Sequence, residues 1–180
     1  MSRSYCFIVT LAVVAANPAS LDAAAGGQLH KLLATDGRAG QSFGRSVAIS
    51  DQIGIVGHSS GAAYLFDVST GAHLAKLTPN DAGADIQFGL SVDVSNSTAI
   101  VGAWFQDTEI APNIYTQTGA AYLFDVPSGT QRVRLMPSDT SFGDQFGKSV
   151  AVSSDFAVVG AWLDAAPRVN QDRTNHPLLR

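Results

Sequence analysis

The chain predicts an all-β fold, a partial β-propeller built from four-stranded antiparallel blades. Three observations predict it. One pattern recurs in register along the 180 residues. Each copy divides into short segments with strand periodicity. Glycines, 17 in all, and small polar residues punctuate those segments as turns do. Two full blades and parts of two others are expected.

The repeat is explicit. FGRSVAIS begins at Phe43, FGLSVDVS at Phe88 and FGKSVAVS at Phe146, at spacings of 45 and 58 residues. Gly57, Gly102 and Gly160 keep the same two spacings, and GAAYLFDV begins at Gly61 and again 58 residues later at Gly119. The longer interval arises wholly between Gly102 and Gly119, where the first copy has only the short stretch from Gly57 to Gly61. A polar loop free to vary between rigid strands produces that behaviour. Blade cores are expected at about 43–77, 88–136 and 146–162 within a repeat region of 26–163.

Taken in order, residues 1–25 read as an export signal. Arg3 precedes a run of ten apolar residues at 7–16 (FIVTLAVVAA), and small residues such as Ala23, Ala24 and Ala25 follow. The run falls far short of the roughly 20 residues that span a bilayer, so no membrane span is expected once the signal is removed. Cys6, the single cysteine, lies inside this segment. The exported chain is therefore expected to hold together without disulfides or thiolate metal ligands.

Residues 28–33 (QLHKLL) match 73–78 (HLAKLT) at the 45-residue spacing, so the region opens with an outer strand. In each copy the first strand, at 46–50 or 149–153, alternates Val or Ile with Ser or Ala. Its small residues suit a crowded position near a propeller axis. The second strand, at 98–103 or 156–162, is nearly continuously apolar, as a strand buried on both faces is. Polar pairs such as Asp51-Gln52 and Asn96-Ser97 join the two as hairpins. The third strand, at 62–68 or 120–126, carries Tyr and Phe. The fourth, at 73–77 or 131–136, alternates polar with apolar and would face water on one side. Residues 164–180 lack the pattern and read as an irregular tail.

The motifs FG-x-S-V-A-[IV]-S, [IV]-V-G-A-W and G-A-A-Y-L-F-D resemble the FG-GAP repeat, the blade motif of integrin α-subunit propellers. The resemblance covers residue 28 to about 163. It implies an extracellular β-propeller, seven-bladed in complete members, that binds ligands or serves adhesion. It often implies Ca²⁺ in the loop between second and third strands. The chain departs from the family in blade number, and in carrying His58 where the other copies have Ala103 and Ala161.

Calcium is the sharpest cofactor expectation. About six to eight oxygens must converge in a tight loop, and the long loop offers Asp107, Glu109 and Asn113. Trp104, at the head of that loop, is the aromatic placed to contact a ligand. Asp36, Asp81 and Asp139 each lie seven residues before an FG phenylalanine and read as turn or capping residues. Asp67 and Asp125 precede VSTG and VPSG and take the same reading.

A net charge of −4 with no Lys/Arg cluster argues against nucleic acid and anionic membranes. His30, His58, His73 and His176 are scattered, and no nucleophile elbow or phosphate loop is present, so no catalytic residue and no enzyme activity are expected. The expected function is a secreted, non-catalytic binding or adhesion module that meets a protein or glycan through its blade loops. The alternatives are an assembly fragment that completes a propeller by homo-oligomerising through open blade edges, or a truncated gene product.

Overall fold

The computed structural model describes residues 28–37, 42–59, 61–81, 87–111, 114–138 and 142–164. The expected signal at 1–25, Asn113, Asp139, His176 and the tail beyond Asp164 lie outside them. No helix among the described residues is long and apolar enough to cross a membrane.

The described elements are all strands. In the first blade, β1 (Val47–Ser50), β2 (Ile53–His58), β3 (Ala62–Asp67) and β4 (His73–Leu77) form an antiparallel sheet in chain order. In the second, β5 (Phe88–Ser95), β6 (Thr98–Ala103), β9 (Ala120–Asp125) and β10 (Gln131–Leu135) repeat it. A third part-blade pairs β11 (Phe146–Val152) with β12 (Ala157–Ala161). The sheets leave the ring open. Most expected strands stand within a residue or two of their observed bounds, as alternation of small and β-branched residues requires, while β11 begins three residues before the expected 149.

Two expectations are corrected. The polar loop after Trp104 is a β-hairpin of β7 (Asp107–Ala111) and β8 (Ile114–Gln117). Thr108, Ile110, Ile114, Tyr115 and Thr116 give these arms strand propensity, and Pro112-Asn113 falls between them in sequence. Residues 28–33 form no strand, and only Lys31 makes a β-bridge. They nevertheless occupy the predicted station. Leu32 is buried against Val56, Tyr64 and Phe66 as its counterpart Leu77 is buried in the next core. His30 abuts Gly71 as Ala75 abuts the equivalent Gly129. An outer strand needs a third strand to pair with, and no described strand lies there.

The blades meet face to face through β5, which packs across β1, β2 and β3, and through β11, which packs across β5, β6 and β9. One core joins Ile55, Leu65 and Leu77 of the first blade to Val92, Val94, Val101, Tyr122 and Phe124 of the second. The two residues of each FG serve different blades. Phe88 is buried against Tyr122 and Phe124 of its own blade, at 5.7 and 5.9 Å between ring centroids. Gly89, at φ +92°, lies against the backbone of His58 and Ala62 in the preceding blade. Gly147, at φ +89°, meets Ala103 and Ala120 in the same way.

Opposite these glycines stand Gly57 and Gly102, where a Cβ would collide with the carbonyls of Gly89 and Gly147 and with Ser46 and Ser91. The serines seal the contact. Ser46 Oγ donates to the Gly89 carbonyl at 2.9 Å, and Ser91 Oγ to that of Gly147 at 2.7 Å. Gly102→Ala is expected to cost about 1–3 kcal/mol, the usual range for overpacking a closed interface. Urea unfolding measures it; an unchanged midpoint would show that the blades can part without loss.

Candidate functional site

The FG ends of the three copies converge on one rim and enclose a concavity of about 400 Å³. Its lining comes from three repeat positions. Arg45, Leu90 and Lys148 follow the Gly of each FG; Ser42 and Gln87 precede the Phe; Ser59 and Trp104 follow β2 and β6. Of these, the residue after FG differs in every copy (Arg45, Leu90 and Lys148), whereas Gln87 recurs as Gln145 and Trp104 as Trp162. Ser42 and Gln87 hold φ of 45° and 54°, which turns the chain sharply into the Phe.

Trp104 is half-buried and does not offer a free ring. The Lys148 ammonium lies 3.6 Å from its centroid, and Phe105 meets it edge-on at 5.3 Å. Its Nε1 is buried without a hydrogen-bond partner among the described residues. The cation–π contact holds Lys148 at the mouth of the concavity. Arg45 opposite it is exposed, and neither cation forms an ion pair among the described residues. Sequence reasoning missed both cations. The signal available was variation at the third position of FG-x-S, the residue that the repeat leaves undetermined.

The β7–β8 hairpin rises beside this rim. Gln106 ties down its base: its amide donates to the Ala103 carbonyl at 3.0 Å, and its own carbonyl accepts from Gly119 at 3.1 Å. Asp107 and Glu109 lie on β7, in register with Gln117 and Tyr115, while Asn113 lies outside the described residues. No group of three or more His, Cys, Asp or Glu gathers among the described residues.

The recurring aspartates clamp side chains across strands, where a local turn role was expected. Asp36 accepts from the Tyr64 hydroxyl at 2.6 Å and from the Lys76 ammonium at 2.5 Å. Asp81 accepts from Arg134 at 2.7 Å beside Tyr122, the residues equivalent to Lys76 and Tyr64. Lys76 and Tyr64 hold the Asp36 carboxyl down at about 2, while burial first, and then Asp36, push the Tyr64 phenol up. Asp67 does cap its turn, accepting from the amides of Ser69 and Thr70 at 2.8 and 3.0 Å. Asp125 accepts from the Ser128 amide at 3.1 Å and also pairs with Arg132.

His58 belongs to packing. It is buried at the end of β2 with Phe43 and Tyr64 around it, at 6.1 and 5.8 Å between ring centroids, and burial lowers its pKa. Ser59, the next residue, lines the concavity instead. Neighbours along a strand point to opposite faces, so the two do not form a base–nucleophile pair.

A family model described as FG-GAP repeat matches residues 27–66, 72–124 and 130–174. No curated protein matches the chain. Among solved structures, the computationally designed Ika4 protein aligns at 14% identity over 74% of this chain and 92% of its own, with a TM-score of 0.34. The designed Ika8 protein aligns at 13% identity over 73% of this chain and 45% of its own, also at 0.34.

The Asp36 clamp has a pH signature. Its folded pKa of about 2 lies below the ordinary 3.8, so its stabilisation is fully present above pH 3.8 and is lost as pH falls towards 2. Asp36→Asn is expected to cost about 1 kcal/mol or less at neutral pH, because the pair is largely exposed. The gap to the parent protein should close between pH 4 and 2 in acid unfolding monitored by circular dichroism. A gap that stays constant across that window would remove the clamp from the stability of the fold.

Proposed function

The chain belongs to the FG-GAP repeat family, and from that premise we propose that it is an exported, non-catalytic binding module whose ligand enters the concavity at the FG rim. The observation that carries this reading is the composition of the mouth. The positions that the repeat commits to packing carry glycine, serine and buried apolar residues. The mouth carries two cations, two hydroxyls, an amide, an aromatic ring and a leucine. Such a lining suits an acidic group on a protein or glycan. A carboxylate or sulfate would meet Lys148 and Arg45, each as a charge-assisted hydrogen bond. Trp104 acts from behind, by holding Lys148 in place. The hairpin β7–β8 follows Trp104 in the chain and adds length to that connection. The export reading is supported by the apolar run at 7–16.

Lys148→Ala and Arg45→Ala are each expected to weaken binding of a uronic-acid oligosaccharide about tenfold, the loss of one charged hydrogen bond. Binding should also fall with added salt. Titration calorimetry against the uronic-acid oligomer and its neutral counterpart reads both effects. Equal binding of the two sugars, or none, would sink the acidic-ligand reading.

A further inference from the structure

We propose that two copies of this chain associate head to tail, with the first blade of one docked on the third part-blade of the other. The proposal stands independently of the ligand reading. It rests on the finding that the two ends of the repeat array expose the matching halves of one interface, which the molecule already forms twice inside itself.

The leading half is on β1. Val47 and Ile49 are 49% and 62% exposed, whereas their counterparts on β5, Val92 and Val94, are 8% and 4% exposed because they pack onto the first blade. The trailing half is on β12. Val158 is 67% exposed, while its counterparts Ile55 and Ile100 are fully buried under the strand that begins the next blade. Just before β12, Phe156 is 77% exposed at the station where Ile53 is packed against the core.

The polar features are split in the same way. Trp162 stands where Trp104 stands in the second blade; it is 72% exposed, with the Lys148 ammonium of its own blade 5.4 Å from its centroid and the rest of the ring open. Trp104 is covered by Lys148, the residue after the FG of the following blade. The residue after the FG of the first blade is Arg45, which is exposed. Docked in the same geometry, Arg45 of a second copy would cover Trp162. Ser149 and Gly160 would likewise receive the Gly44 carbonyl, as Ser91 and Gly102 receive that of Gly147. Shape, apolar area and a cation–aromatic pair therefore point to one occupant, the first blade of another copy.

Such a contact joins different surfaces, so it can either close into a ring or propagate. The head-to-tail dimer is the smallest assembly that such a contact forms.

The test is sedimentation equilibrium of the full chain at tens of micromolar, with Ile49→Asp and Val158→Asp as variants. Both positions are solvent-exposed in one copy, so the charge is tolerated by the fold, which circular dichroism checks. The parent should be a dimer, and each variant should dissociate about tenfold or more readily. Mixing the two variants should restore association, because each keeps the end that the other has lost. Trp162→Ala offers a milder change at the same face and should also weaken the dimer. A folded parent that remains monomeric, a dimer indifferent to all three substitutions, or a mixture no more associated than its components would each overturn the proposal.

Discussion

The whole array depends on how closely one backbone can approach another. At each blade junction the Gly of an FG lies directly against the strand ends of the preceding blade, with Gly57 or Gly102 on the facing side. No side chain fits on either surface. The Ser hydroxyl of the first strand then donates to the carbonyl of that FG glycine, which would otherwise lie in the junction short of a partner. Three letters of the repeat, the FG Gly of one copy and the FG-x-S serine and second-strand Gly of the copy before it, are thus one contact. They recur together because they are used together.

The aromatic residues follow from the same junction. Once the Gly of FG is placed on the preceding blade, the Phe before it is thrown back over its own sheet. It wedges between the Tyr and Phe of the third strand in both complete blades. Tyr64 reaches outward to Asp36, which also holds Lys76 of the fourth strand; in the second blade the Tyr122 hydroxyl donates to Gln106, and Asp81 holds Arg134. The chain of contacts runs from the inner strand to the outer one, so each blade is braced across its width. An FG dipeptide therefore couples two blades and one sheet, which explains why its spacing to the second-strand Gly does not vary, while the loop before the third strand can.

Nearly all the blade architecture was legible in the sequence, because period-2 alternation and the repeat spacing report the same geometry independently. What was not legible had specific physical causes. The β7–β8 segment carries acids and amides that signal a loop, and only its Thr, Ile and Tyr content hinted at a hairpin. Asp36 and Asp81 recur at a fixed spacing, which correctly indicated a structural role, but sequence distance could not show that their partners lie 28 to 53 residues away. The outer segment at 28–33 was placed correctly by its match to 73–78, yet matching letters cannot supply the third strand on which an outer strand hydrogen-bonds. The rim cations were overlooked because a repeat search rewards agreement, and they sit where the copies disagree.

That disagreement is informative. In a repeat whose every regular position is committed to packing, selection for a ligand can act only where packing is indifferent. Here that position is above all the residue after FG, with the residue before FG and the residue after the second strand beside it. Each is a surface position at the mouth of the ring, because the junction glycines bring the strand ends together there. The extra hairpin of the second copy is inserted at the same end, next to Trp104, where added chain disturbs no junction. The variation after FG and the variation in length thus fall on one rim, where changed or added residues disturb no blade junction.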